Sequence, residues 1–172
     1  MKKFFNWVLV LAGIVGAFYG IGVIVPRSMT SGSKTTFVVK PDKLFAAVAD
    51  VRSWPEWHPD VLSVSERPEH NKNPMWHVTE KDGVSYDMEV SVADDPTKWQ
   101  GAYTIDGQRH TLRFDFQWYG EGGRAHATRT VDTNDTWLRA KAFLWSRSET
   151  DPIGLLNALA VHFGEAPKAD KE

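Results

Sequence analysis

The sequence predicts an α+β fold: a curved, seven-stranded antiparallel sheet wrapped on a C-terminal helix and preceded by one transmembrane helix. Three observations carry this reading. Phe4 to Val25 is free of charge. Segments between Thr35 and Asp132 alternate apolar and polar residues with period two and are separated by turn residues at hairpin spacing. Two stretches, one opening at Lys40 and one at Asp151, repeat apolar residues with the 3.6-residue period of a helix.

The first element is the run FFNWVLVLAGIVGAFYGIGVIV, behind Met1-Lys2-Lys3. A helix rising 1.5 Å per residue needs about 20 apolar residues to cross a bilayer, and this run supplies them. A cleaved signal peptide has a shorter apolar core, about 7–15 residues, and a small-residue cleavage site. Pro26-Arg27-Ser28-Met29 offers no such site, so residues 1–26 read as an uncleaved anchor. Lys2 and Lys3 favour a cytoplasmic N-terminus and an extracytoplasmic domain in a single-pass membrane protein. Residues 27–34, with Gly and Ser among polar residues, read as a tether.

Thr35 to Val39 is β-branched and aromatic, a first strand. In Lys40 to Asp60, Leu44, Phe45, Val48 and Val51 form one apolar stripe, Pro41 suits a first-turn position, and Asp42 sits at the positive end of the helix dipole. Ser53 is placed to cap a second short helix holding Trp54 and Trp57, with Pro55 in its first turn and Pro59 beyond. Val61 to Arg67 and Met75 to Glu80 are strands around a loop at Pro68–Pro74. Asp82-Gly83 signals a hairpin. Val84, Tyr86, Met88, Val90 and Val92 then alternate with Ser85, Asp87, Glu89 and Ser91, one face buried and one wet.

After Asp94-Asp95-Pro96, Trp99, Gly101, Tyr103 and Ile105 share the next inward face. Asp106-Gly107 turns the chain. Leu112, Phe114, Phe116 and Trp118 then alternate with Arg113, Asp115 and Gln117. Gly120, Gly122 and Gly123 permit a turn into the strand Arg124–Asp132. Asn134 to Arg147 reads equally as a helix capped by Asn134 or Asp135 and as an eighth strand. Asp151-Pro152 restarts a helix whose stripe is Ile153, Leu156, Leu159, Ala160 and Phe163, and Gly164 ends it. Residues 166–172 read as a disordered tail.

Composition closes several routes. Lys and Arg number 20 against 22 Asp and Glu, so no basic surface calls for nucleic acid. The absence of cysteine removes disulfides, thiolate nucleophiles and cysteine metal sites. There is no G-x-S-x-G, no H-E-x-x-H and no phosphate-binding glycine loop. The six histidines lack ligand spacing; His77 and His126 lie on strands and are candidates to point inward. Arg113, Glu89 and Arg129 read as wet-face residues. No catalytic residue, metal ligand or cofactor is assigned.

The order strand, two short helices, six-strand meander and closing helix resembles the START-like SRPBCC superfamily, the helix-grip fold of polyketide cyclase/dehydrase-like proteins. The resemblance covers roughly residues 35–165 and rests on FVVKPDKLFAAVADVRSWPEW, with further likeness at Leu138-Arg139, Pro152-Ile153-Gly154 and Leu159-Ala160. The N-terminal run resembles the anchor of membrane-bound members. A closing helix split at Asp151-Pro152 departs from the pattern. The resemblance implies a cavity between sheet and C-terminal helix, lined by Trp76, Tyr86, Met88, Trp99, Tyr103, Phe114, Trp118, Leu156 and Leu159. It implies a carrier of a hydrophobic small molecule, lipid-, quinone- or polyketide-like. The alternatives are a cyclase, dehydratase or hydrolase acting on such a ligand, and an interaction domain with a filled cavity. The lack of an acid–base pair favours the carrier.

Overall fold

The computed structural model describes residues 2–91, 95–145 and 152–171. In chain order the elements are α1 (Lys2–Ile24), β1 (Ser28–Phe37), α2 (Pro41–Ala49), a 3-10 turn (Val51–Ser53), α3 (Trp54–Trp57), β2 (Val61–His70) and β3 (Asn73–Glu80). There follow β4 (Ser85–Val90), β5 (Lys98–Ile105), β6 (Gln108–Tyr119), β7 (Gly122–Asp132), α4 (Thr136–Trp145), α5 (Pro152–His162) and β8 (Asp170–Lys171). They fall into two compact units, Met1–Met29 with Asp132–Arg147, and Thr30–Val131 with Ser148–Glu172.

In the first unit α1 and α4 pack together. The ambiguity at residues 134–145 resolves as helix because Asp135 caps it: its carboxylate accepts from the backbone N–H groups of Trp137 and Leu138 at 2.8 and 3.0 Å. Phe18 meets Trp137 with ring centroids 4.2 Å apart, and Gly22 lies against the Thr136 carbonyl with no room for a side chain. Arg139 donates to the Val25 carbonyl at 3.2 Å. Among the described residues no helix is long and apolar enough to cross a membrane. The expected transmembrane anchor and the single-pass, extracytoplasmic localisation are therefore corrected. The sequence reading let the whole Phe4–Val25 run face lipid, whereas its last turns at Phe18, Gly22 and Val25 are used against a protein helix and a guanidinium.

The second unit holds one sheet in the order β2-β3-β4-β5-β6-β7-β1-β8. The seven expected strands are present, and a two-residue β8 is added. The supposed tether lies in β1: Thr30 and Thr130 hydroxyls bond at 2.9 Å, and Gly32 passes the His126 ring so closely that an added Cβ would sit 3.3 Å from Nε2. Small polar residues here permit close strand approach rather than slack. Part of the C-terminal segment 166–171 runs beside the sheet. The N–H of Ala169 donates to Asn157 Oδ1 at 3.0 Å, and Asp170 and Lys171 pair with Lys34 and Ser33. The Pro68–Pro74 loop shrinks to a two-residue hairpin turn, Asn71-Lys72, with φ of 52° and 68°. Ser53 does not cap α3; its hydroxyl donates back to the Asp50 carbonyl at 2.8 Å.

The core fills the concave side of the sheet. Leu44 and Val48 of α2, Trp54 of α3, Met88, Trp99, Phe114 and Phe116 of the sheet, and Leu155, Leu156 and Leu159 of α5 are all fully buried in one cluster. Such burial is worth roughly 1.5–3 kcal/mol per large apolar side chain. Gly122 and Gly123 act here as points of contact more than as turn residues. A Cβ on Gly122 would strike the Phe37 carbonyl, and one on Gly123 would sit 2.8 Å from Leu44 Cδ1.

Candidate functional site

The inward face of the sheet divides into two halves. One is aromatic and packed. Trp54 meets Trp99 at 5.3 Å between centroids, Trp99 meets Phe114 at 5.9 Å, and Phe114 stacks on Phe116 at 6.0 Å. Met88 belongs to this half, its Sδ only 2.9 Å from where a Gly101 Cβ would be.

The other half is a polar row running strand to strand through Glu80 (β3), Tyr86 (β4), Tyr103 (β5), His110 (β6) and Arg129 (β7). Strand register brings it together: Tyr86 is opposite Val78, Tyr103 is opposite both Met88 and His110, and each residue keeps its strand's inward parity. Tyr86 and Tyr103 stack at 4.2 Å, and Tyr103 lies parallel to the His110 ring, 4° off, at 5.1 Å. Nη2 of Arg129 donates to Nδ1 of His110 at 3.0 Å. Tyr86 is hydrogen-bonded to Glu80. The two tyrosines and His110 are buried, while Glu80 and Arg129 at the ends are half-buried, so solvent reaches the row from its flanks.

Burial sets the protonation states. It pushes the Glu80 carboxyl above its usual range, partly offset by the Tyr86 hydrogen bond. It raises both phenols, and for Tyr86 the Tyr103 and Glu80 neighbours add to the effect. His110 is pulled down to about 4 by burial and then by the Arg129 charge. At neutral pH the row therefore presents two phenols and a neutral imidazole beside a fixed cation.

On the opposite, outward face a groove of about 460 Å³ is lined by His70, Met75, Asp87, Glu89, Ala102, Tyr103, Thr104 and Arg109. Its polar groups answer one another: His77 and Arg67 flank Asp87 at 2.7 and 3.8 Å, and His70 lies 3.5 Å from Glu89, which also accepts from Asn73. This is a salt-linked strand surface. Among the described residues no cluster of three or more His, Cys, Asp or Glu side chains is arranged to hold a metal.

No family model matches the sequence, and no curated protein matches it. Solved structures do match. The aromatase/cyclase Zhui from Streptomyces sp. R1128 superposes with a TM-score of 0.66 at 13% identity, over 78% of this chain and 93% of that one. A START superfamily protein from Mycobacterium smegmatis gives 0.55 at 12% identity, over 80% and 100%. The fold is START-like. The di-domain aromatase/cyclase BexL from the BE-7585A biosynthetic pathway gives 0.62 at 16% identity, over 83% of this chain and 52% of that one. The chain thus spans about half the length of that di-domain protein, and the likeness extends to fold alone.

Within this START-like domain the residues expected to line a cavity separate. Tyr86 and Tyr103 join the polar row. Met88, Trp99, Phe114, Leu156 and Leu159 are fully buried in the core. Trp76 is half-buried under the Arg52 guanidinium, 5.4 Å from its ring. Trp118 does not line the interior: it is 64% exposed, one residue from the end of β6. His77 faces outward to Asp87, and His126 lies beside Gly32 on β1. Sequence reasoning missed Glu80, His110 and Arg129, and set Arg129 on the wet face. The signal was there: Glu80 continues the parity of Trp76 and Val78, His110 that of Leu112 and Phe114, and Arg129 that of Ala125 and Ala127.

Proposed function

We propose that this domain binds a hydrophobic small molecule on the concave face of the sheet, against the Tyr86–Tyr103–His110 row, with Trp76 at the flank. The observation that carries this is a set of stacked, buried polar rings on a face otherwise given over to core. Burying hydroxyls and an imidazole costs free energy unless each is hydrogen-bonded, and folding alone gives no reason to concentrate them on neighbouring strands. The aromatic half is the rigid wall, and the row supplies polar contacts for one end of a ligand. The named aromatase/cyclase and START structures support the class of ligand through the shared fold.

A second reading has its own observation. A carboxyl kept toward its protonated form, a phenol bonded to it and a neutral imidazole within one row are acid–base groups with shifted affinities, as catalysis of proton transfer needs. A cyclase- or dehydratase-type reaction on a polyketide-like chain fits those groups. Native mass spectrometry of the purified protein, followed by titration with 2-ethylnaphthalene read by tryptophan fluorescence, tests the binding reading. Saturable quenching or a co-purifying apolar molecule is expected; neither appearing rejects it. Conversion of a co-purified molecule, lost in Glu80→Gln, moves the assignment to the enzyme reading.

A further inference from the structure

Resting on the binding reading above, we infer that the polar row is a carbonyl subsite: Tyr103 Oη–H and His110 Nε2–H together donate to one ketone or quinone oxygen of the ligand. The argument begins with Arg129. A guanidinium only donates, so the 3.0 Å contact from its Nη2 makes Nδ1 of His110 an acceptor. A neutral imidazole with an accepting Nδ1 carries its proton on Nε2. The tautomer is thereby fixed, and His110 presents a donor and no acceptor at that edge.

His110 is 6% exposed and Tyr103 7%, yet neither the Nε2–H nor the Tyr103 hydroxyl has a hydrogen-bond partner among the described residues. Neither atom is sealed from solvent in the manner of the indole nitrogens of Trp57 and Trp99. The two rings are held parallel on adjacent strands, Tyr103 directly opposite His110. The neighbouring phenol differs: Tyr86 is bonded to Glu80. The row thus holds one satisfied phenol and, beside it, two donors awaiting an acceptor. Two donors carried by stacked rings on adjacent strands suit the two lone pairs of a carbonyl oxygen; a ligand hydroxyl satisfies them less well because it brings a hydrogen of its own. A site built to hydrogen-bond a group discriminates against the analogue lacking it, since its buried donors stay unpaired. Arg129 acts here as a positioning residue for His110.

The test compares 2-acetylnaphthalene with 2-ethylnaphthalene, alike in shape and differing in the carbonyl. Wild-type protein is expected to bind the ketone about tenfold more tightly, the effect of one to two neutral hydrogen bonds. The infrared C=O stretch of bound ketone is expected at lower frequency than in hydrocarbon solvent. Long-range 1H–15N spectra should show His110 protonated on Nε2. Tyr103→Phe, which keeps the ring stack, and His110→Phe should each shrink the ratio of ketone to hydrocarbon affinity and the infrared shift. Equal affinities for the two probes in wild type, or a preference that survives both substitutions, overturns the carbonyl subsite and leaves the binding reading standing. Failure of both probes to bind overturns the two together.

Discussion

The indole Nε1 of Trp54 donates to the carbonyl of Val48 at 3.0 Å, tying α3 back onto the last turn of α2. The final carbonyls of a helix have no partner within it, so this bond satisfies a group that would otherwise be buried unpaired. The same ring is 1% exposed and meets Trp57, His58 and Trp99. Trp54→Ala is expected to cost roughly 3–5 kcal/mol, a large share of the 5–15 typical of a domain. Trp54→Phe should cost clearly less, since much of the ring volume remains. Urea midpoints give the comparison. Equal losses for Phe and Ala would assign the stability to the hydrogen bond, and no loss in either would remove the tryptophan from the core.

Glu165, just beyond α5, accepts through Oε1 from the backbone N–H groups of Val38 and Val39 at 2.9 and 3.3 Å. A single carboxylate thereby anchors the β1–α2 connection to the end of the closing helix, across more than a hundred residues of sequence. Hydrogen bonds to charged groups contribute about 1.5–3 kcal/mol. Glu165→Ala should lose a sum of that order, and Glu165→Gln, which keeps an acceptor oxygen, distinctly less. Amide hydrogen exchange at Val38 and Val39 is the local readout. Unchanged protection there in Glu165→Ala would show that the contact does not hold the connection.

Two glycines two residues apart should behave oppositely to substitution. Gly120 has φ of +61° and open space around its Cβ position, so Gly120→Asn is expected to be nearly neutral, Asn being at ease in the left-handed region. Gly122 has no such freedom: a methyl group would occupy the position of the Phe37 carbonyl oxygen. Gly122→Ala should displace β1 from β7 and lower the melting temperature by more than any surface change. Circular-dichroism melts of the two variants decide it; similar melting temperatures would mean that β1 and β7 approach less closely.

The fold was legible in the sequence where one periodicity ruled, and the site was not, for a physical reason. Period two in Tyr86–Met88–Val90 and Leu112–Phe114–Phe116 put each strand in its place. Reading apolar as inward and polar as outward then misplaced Arg129, because a charge at an inward position looks like the end of the alternation. Register across five strands collects Glu80, His110 and Arg129, and register depends on turns such as Asn71-Lys72 whose tightness the sequence understated. The segment Phe4–Val25 failed in the other direction. Its apolarity was plain, but α4, the helix it packs against, lies more than a hundred residues later in the chain.

Acid should destabilise this protein through two histidines. Burial, with the Lys81 charge, lowers His58 to about 3, and burial with Arg129 lowers His110 to about 4. Both titrate near 6.5 when unfolded. As pH falls from 6.5 towards 4 the unfolded chain takes up protons that the folded one refuses, so stability declines, by about 1.4 kcal/mol per pH unit for each histidine. Glu80 acts in the opposite sense: its raised affinity stabilises the fold at low pH and is lost as pH rises through its folded value. His58→Phe preserves the ring against Trp54 and removes one titration. Urea midpoints at pH 7.5, 5.5 and 4.5 should fall less steeply in the variant than in the parent. Parallel slopes would show that His58 is protonated in the fold.

Met88 separates the packed half of the interior from the half proposed to bind. It is fully buried, and its Sδ and Cγ lie 2.9 and 3.3 Å from the position of a Cβ on Gly101, where Trp99 also crowds in. There is no slack at this point for a larger side chain. Met88→Trp is therefore expected to overpack, costing about 1–3 kcal/mol. Tyr103 stands opposite Met88 on β4 and opposite His110 on β6, with its ring stacked on the imidazole. The folded fraction of the variant should then bind 2-acetylnaphthalene within about twofold of wild type, since the change leaves both donor hydrogen bonds in place. Measuring the urea midpoint and the Kd on one preparation tests both statements. An unchanged midpoint with a Kd weakened tenfold would mean that the ligand occupies the space beside Met88, and would move the binding face from the polar row to the aromatic half.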